Sequence, residues 1–158
     1  MMFKVGLGFD SHRLVAGRPL IIGGVNIPSV VGCQAHSDGD VLIHALIDAL
    51  LGAAGLGDIG QKFPETDPAY KNISSLELLR RVMAEIKASG LAVVNADTLV
   101  ILERPKLAPF IAQMKEHLCP LLDLQPSSLG IKAKTAEGMG EIGSGQAVEA
   151  WATTLLTG

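Results

Sequence analysis

Three of the four histidines in this 158-residue chain fall within its first 44 residues, each close to an aspartate. They occur as Asp10-Ser11-His12 and His36-Ser37-Asp38-Gly39-Asp40, with His44 one helical turn further on. Asp10 and His12 alternate by two, so on an extended strand both side chains point to the same side. His44 falls one turn inside a helix predicted to begin after Asp40. Imidazole nitrogen and carboxylate oxygen are both zinc donors. An Asp, His, His set leaves one coordination position open, as a catalytic site needs and a structural site avoids. Asp48, at i+4 from His44, is expected on the same helical face, placed to fix that imidazole's tautomer from behind. A plainer reading stands beside this one: Asp10 as a turn-former, His12 as a loop residue and His44 as a hydrogen-bonded core histidine.

Weaker signals follow along the chain. His36-Ser37-Asp38-Gly39-Asp40 is either a plain turn with a helix N-cap or a carboxylate-rich helix start that serves a cation. Leu56-Gly57-Asp58-Ile59-Gly60 and Phe63-Pro64-Glu65-Thr66-Asp67 offer backbone amides and carboxylates suited to ribose hydroxyls or a diphosphate, though most such stretches are only turns. Thr135-Ala136-Glu137 ends a predicted strand. Its hydroxyl and hard carboxylate suit phosphate and Mg²⁺ or Mn²⁺, and a strand-end cap is the alternative. Arg104-Pro105-Lys106 supplies cationic charge for a phosphate or a base carbonyl, with a solvated strand end as the plainer reading. Gly138, Gly140, Gly143 and Gly145 match neither a dinucleotide fingerprint nor a P-loop, because they lead into a strand rather than a helix.

The elements that must position these residues are legible from periodicity. Strands are expected at Phe3 to Phe9, Leu20 to Ile27 (weakened by Gly23-Gly24), Leu91 to Leu102, Leu129 to Thr135 and Ala147 to Leu156. Ser11 to Pro19 is expected to be a loop, as is the stretch 61–73, which is read as mobile. Leu42, Ile43, Leu46, Ile47 and Leu50 mark a helix capped by Asp38 or Asp40 and ended in the glycines from Gly52 to Gly60. A second helix carries Leu79, Val82, Met83 and Ile86 behind a capping box, Ser74-Ser75-Leu76-Glu77. A third starts near Pro105 or Pro109 and is limited by Pro120. Together these predict a single α+β domain over residues 1–158, a mixed sheet with helices on one face.

Composition narrows the partners. The chain is 48% hydrophobic and 18% charged, and its mean hydropathy is +0.37. It has no apolar run of membrane-spanning length. Excess apolar surface without a span predicts a subunit interface. A net charge of −3 with no basic run argues against nucleic acid. Cys33 and Cys119 are too few for a disulfide framework and predict reduced thiols in a cytoplasm. The N-terminus carries no export signal.

Taken in order, G-F-D-S-H-R (8–13), I-G-G-V-N-I-P (22–28), A-H-S-D-G-D-V-L-I-H-A (35–45), D-A-L-L-G-A (48–53), G-D-I-G (57–60), F-P-E-T-D-P (63–68), P-K-L (105–107) and K-T-A-E (134–137) resemble the 2-C-methyl-D-erythritol 2,4-cyclodiphosphate synthases nearly end to end. The resemblance implies a homotrimer with active sites between neighbours, in the cytoplasm of a bacterium. It also implies a reaction: 4-diphosphocytidyl-2-C-methyl-D-erythritol 2-phosphate closes on itself and CMP leaves. It implies Zn²⁺ on Asp10, His12 and His44, and Mg²⁺ or Mn²⁺ on Glu137. His36 and Thr135 take the place of transition-state helpers, and Ser37 that of a phosphate contact. Asp58, Ile59 and Gly60 fall at the ribose. Phe63, Pro64, Glu65, Thr66 and Asp67 fall at a loop over the methylerythritol. Leu102, Glu103, Arg104, Pro105, Lys106, Leu107 and Ala108, with Lys134 and Ala136, line the cytidine and diphosphate site.

One stretch departs from the pattern: Gly138, Glu141 and Ser144 stand where the family commonly has cations and an aromatic. Weak binding of isoprenoid diphosphates in the trimer's central cavity is expected from that change. Two other readings of the same scaffold are a zinc phosphohydrolase, with water as nucleophile, and a non-catalytic trimer stabilised by structural zinc.

Overall fold

The computed structural model describes residues 1–158. Strand β1 (Phe3–Ala16) is long. It is followed by β2 (Leu20–Ile22), β3 (Val25–Ile27), β4 (Val31–Cys33) and helix α1 (Val41–Ala54). Helices α2 (Ile59–Lys62) and α3 (Ser75–Ala88) precede β5 (Ala92–Ile101). The chain closes with α4 (Ile111–Leu122), β6 (Leu129–Lys134), α5 (Gly140–Gly143) and β7 (Ala147–Thr157). The main sheet has the order β4-β1-β7-β5-β6. Only β5 and β6 run parallel, which makes it a mixed sheet.

Helix α1 is the centre of the core. Eleven of its 14 residues are buried, as expected of a helix apolar nearly all round. It lies on β1 and β7, with α3 on its other side. Gly6 and Gly8 allow the close approach to β1: a Cβ at either would stand 1.8 Å from the carbonyl oxygen of Ala49 or Ala45. Asp10 and His12 continue the same face of β1, so the glycines that seat the helix also bring its His44 against them. The odd residues of β1 point the other way. Phe3, Val5, Leu7 and Phe9 are exposed, and Trp151 of β7 stacks near Phe9 with ring centroids 4.5 Å apart.

Several sequence expectations need correction. No loop begins at Ser11, because β7 pairs with Ser11 through Arg13 and β4 with Leu14 through Ala16. The Leu20 to Ile27 strand is a hairpin that turns at Gly23 and Gly24, both at positive φ. The stretch 61–73 is not all loop: α2 reaches Lys62, and a 3₁₀ turn spans Pro68–Tyr70 under an Asp67 cap. The capping box is absent. Ser74 makes no side-chain cap, and Glu77 pairs with Arg80 and Arg81 instead. Pro120 does not end α4, which continues to Leu122 because Leu118, Cys119 and Leu122 are buried on its inner face. Asp123, at φ 58°, stops it.

Candidate metal centre and its cleft

Asp10 and His12 arrive from β1, which pairs with β7 as Asp10 to Ala150 and His12 to Val148. His44 arrives from the first turn of α1, whose N-cap is Asp40. The three side chains converge. Asp10 Oδ2 lies 2.9 Å from His12 Nε2 and 3.0 Å from His44 Nδ1, and the two ring nitrogens are 3.2 Å apart. Donors bound to one tetrahedral zinc at about 2.0–2.1 Å stand about 3.3 Å from one another, so this triangle needs almost no opening to hold the ion. The donor set also fits on chemical grounds: two imidazoles and one carboxylate from facing elements, no fourth protein donor among them, and a cleft on the open side.

Electrostatics support the same assignment. Burial pushes the Asp10 carboxyl upward, but hydrogen bonds from His12 and His44 and their charge overcome it and hold the group down at about 2. For His44, burial opposes the imidazolium. The hydrogen bond and charge of Asp10, with Asp40 and Asp38 behind, outweigh it and raise the pKa above the ordinary histidine value. A metal must displace that proton. Zinc affinity is therefore expected to fall by roughly tenfold per pH unit once the pH drops below this raised pKa. Competition with a chelator across a pH series checks it, and an affinity flat through the mildly acidic range would contradict it.

The cleft beside the triangle is lined by Ala35, His36, Ser37, Ile59, Gly60, Phe63, Glu65, Tyr70, Ile73 and Leu78. The structure thus brings His36, Ser37, Ile59, Gly60, Phe63 and Glu65 to the Asp10, His12, His44 triangle. The Nε2 of His36 is buried without a partner, an unused polar atom beside the cleft. Ser37 Oγ accepts from Gly39 N and lies 3.2 Å from His44 Nε2. Asp58 caps α2, its carboxylate taken by Gln61. Asp67 caps the 3₁₀ turn through Ala69 N. Pro64 and Thr66 do not line the cleft.

A second cleft holds Leu102, Glu103, Pro105, Lys106, Leu107, Ala108, Ala133, Lys134 and Thr135. It shares no residue with the first. Between β1 and β6 lie β7 and β5, a separation of about 14 Å at ordinary strand spacing. Thr135 Oγ1 donates to Glu137 Oε1 at 2.8 Å, and Glu137 takes positive φ. Glu103 Oε2 accepts from Ala136 N at 3.1 Å and so fastens the turn carrying Glu137.

The Asp48 expectation is wrong. Asp48 Oδ1 accepts from Ile59 N at 2.8 Å and ties α2 to α1, while the far nitrogen of His44 meets Ser75 Oγ at 2.9 Å. Ser75, Tyr70, Ile73 and Arg18 were not among the sequence candidates. Arg18 donates to the carbonyls of Cys33, Ala35 and Ser37, clamping the loop that carries His36. Nothing in the spacing around Arg18 signals this; only the pairing of β1 with β4 brings it there.

The YgbB family model matches residues 3–157. The chain belongs to the YgbB family. It is 52% identical to the 2-C-methyl-D-erythritol 2,4-cyclodiphosphate synthase of Pelotomaculum thermopropionicum, over 97% of this chain and 94% of that one. A solved 2C-methyl-D-erythritol-2,4-cyclodiphosphate synthase in a CDP-bound form is 44% identical and superposes with a TM-score of 0.90, covering 98% of this chain and all of that chain. The bifunctional IspDF of Campylobacter jejuni is 41% identical with a TM-score of 0.93, covering 98% of this chain and 42% of that one. The same fold thus occurs in a relative matched over its whole chain and within a longer bifunctional one.

Proposed function

We propose that residues 1–158 form one cyclodiphosphate synthase domain that converts 4-diphosphocytidyl-2-C-methyl-D-erythritol 2-phosphate into 2-C-methyl-D-erythritol 2,4-cyclodiphosphate and CMP, in the non-mevalonate route to isoprenoids. The observation that carries the reading is the Asp10, His12, His44 triangle, with edges of 2.9–3.2 Å, in a chain matched almost end to end by synthases of that name. An oxygen of the substrate's 2-phosphate attacks the β-phosphorus. The bond from that phosphorus to the oxygen bridging to the α-phosphate breaks, and CMP departs with the bridging oxygen. No water enters and no side-chain nucleophile is needed, because the substrate carries its own. Holding its two ends together can supply roughly 7–11 kcal/mol.

Zn²⁺ on Asp10, His12 and His44, with Mg²⁺ or Mn²⁺ on Glu137, would supply the positive charge that lets one phosphate approach another. His36, with its unpartnered Nε2, and Thr135 donate to the phosphate oxygens as charge shifts onto the leaving group. Ser37, which lines the same cleft as His36, meets a phosphate oxygen. Asp58, Ile59 and Gly60 meet the ribose, and residues Phe63 to Asp67 cover the methylerythritol. The 102–108 segment, with Lys106, Lys134 and Ala136, takes cytidine and diphosphate.

The two clefts lie apart on one chain, and this favours an active site completed by a neighbour in a homotrimer. The exposed row of Phe3, Val5, Leu7, Phe9 and Trp151 is the apolar face such an assembly would cover. Leu7→Asp is expected to yield monomers in sedimentation velocity and to lose most turnover while still binding one zinc per chain, since the triangle is built within one chain. An unchanged oligomer would contradict this interface. The turn at Gly138, Glu141 and Ser144 contains no cation, which supports weak isoprenoid diphosphate binding in the trimer's centre. A bacterial cytoplasm suits the two buried free thiols, Cys33 and Cys119. No helix is long and apolar enough to cross a membrane.

Phosphorus NMR of the substrate with protein, zinc and Mg²⁺, repeated after chelation, tests the reading. Metal-dependent cyclic diphosphate with stoichiometric CMP is expected. A linear product would show hydrolysis instead.

A further inference from the structure

We infer that Ser75 and Asp38 are positioning residues that hold His44 in the tautomer with its proton on Nε2, so that Nδ1 faces the metal site as a ready donor. The inference rests on the metal reading above and extends it to two residues that touch neither metal nor substrate. His44 uses both ring nitrogens. Nδ1 faces Asp10 Oδ2 at 3.0 Å and His12 Nε2 at 3.2 Å. Nε2 faces Ser75 Oγ at 2.9 Å and, more distantly, Ser37 Oγ at 3.2 Å.

The direction of each hydrogen bond follows from the number of protons available. A serine hydroxyl has one proton, and a carboxylate has none to give. Ser75 Oγ donates to Asp38 Oδ1 in a short contact, so only its lone pairs remain for the imidazole. Nε2 is then the donor to Ser75, the nearer of its two hydroxyl neighbours, and when the Nδ1 proton shared with Asp10 gives way to a metal the lone pair is on Nδ1. Asp38 cannot easily turn away: its Oδ2 accepts from Ser75 N at 2.8 Å and its Oδ1 from Asp40 N at 3.2 Å.

Ser75 is wholly buried as the first residue of α3. No cap from Ser74 competes for that helix end, and a carboxylate 37 residues away serves it instead. The start of α3 and the 36–40 turn are therefore joined through the imidazole that α1 supplies. Metal-bound histidines are commonly oriented by a carboxylate or carbonyl on the other nitrogen; here a serine hydroxyl stands between.

Two readouts test this, the tautomer of His44 by long-range proton–nitrogen NMR of zinc-free protein at alkaline pH, and zinc affinity by chelator competition. The parent protein is expected to show the Nε2–H form. An Nδ1–H form would overturn the inference without any variant. Ser75→Ala, which adds no volume to the core, is expected to give mixed tautomers and zinc binding weaker by roughly 10–100-fold. Asp38→Asn sets an amide N–H against a donor in either orientation and is expected to act in the same direction. The double variant should weaken binding no further than the worse single change, as expected of one coupled chain. Melting of the zinc-free variants separates these effects from lost folding. Zinc binding by the parent with unchanged affinity and tautomer in Ser75→Ala would overturn the inference alone, whereas a parent that binds no zinc would overturn the metal reading together with it.

Discussion

His44→Ala is expected to lower turnover by about 10³-fold or more while the chain stays folded. Removing one of three protein ligands leaves an Asp–His pair that cannot hold zinc in place, and a metal's stabilisation of developing phosphate charge is worth several kcal/mol, each 1.36 kcal/mol being about tenfold in rate. The fold should survive, because the other buried residues of α1 are apolar and seated on β1 and β7. Losing the imidazole also releases Asp10, whose carboxyl is held at about 2 partly by His44, and leaves Ser75 bonded to Asp38 alone. Zinc content, circular dichroism and CMP release, measured together, separate the possibilities. Lost metal and lost turnover in a folded protein fit a catalytic site. Collapse of the fold with the metal would instead favour the structural-zinc reading.

The Asp10, His12, His44 group was legible in the sequence because its geometry is local. Asp10 and His12 needed only the two-residue alternation of a strand, and His44 only a helix start after Asp40. The partner behind His44 was not legible. Spacing pointed to Asp48, one turn along the same helix, yet the bond goes to Ser75, 31 residues on. Helical spacing identifies neighbours on one element, whereas this contact depends on how α3 packs against α1. The same limit separates the strand expected at Phe3 to Phe9 from the observed one, which runs on to Ala16. Asp10, Ser11, His12 and Arg13 lack β-forming character, and they extend because β7 pairs along them, with β4 carrying the strand on from Leu14 to Ala16. Pro120 misled for a related reason: the buried face of α4 outweighs one lost backbone bond. Weak residue signals around Leu102 to Ala108 and at Lys134 and Thr135 also gave no hint of a cleft separate from the Asp10, His12, His44 triangle, since sheet order is a property of pairing and not of spacing.

Asp40→Ala is expected to cost about 3–5 kcal/mol of stability. Asp40 is wholly buried. Its Oδ1 accepts from Gly23 N at 3.0 Å and Ile43 N at 3.1 Å, and its Oδ2 from Gly24 N at 2.7 Å. One carboxyl therefore caps α1 and fastens the β2–β3 turn to it. Alanine leaves buried N–H groups unsatisfied at about 1–3 kcal/mol each and removes a cap worth about 1 kcal/mol. Water entering the vacated space offsets part of that. Burial pushes the Asp40 carboxyl up to about 6, against the pull of the Gly24, Ile43 and Gly23 amides, and the charge of Asp38 adds to the rise. A group whose pKa is raised by folding stabilises fully below its unfolded value, and that contribution fades as the pH climbs through the folded one. Asp40→Asn has no such titration. Its stability deficit relative to the parent is therefore expected to narrow between about pH 4 and pH 6 in urea melts, since groups common to both proteins cancel in the difference. A deficit that widens over that range would mean the three amides overcome burial and hold Asp40 as a carboxylate. The helix start that aims His44 would then be anchored by a buried charge rather than by a neutral acid.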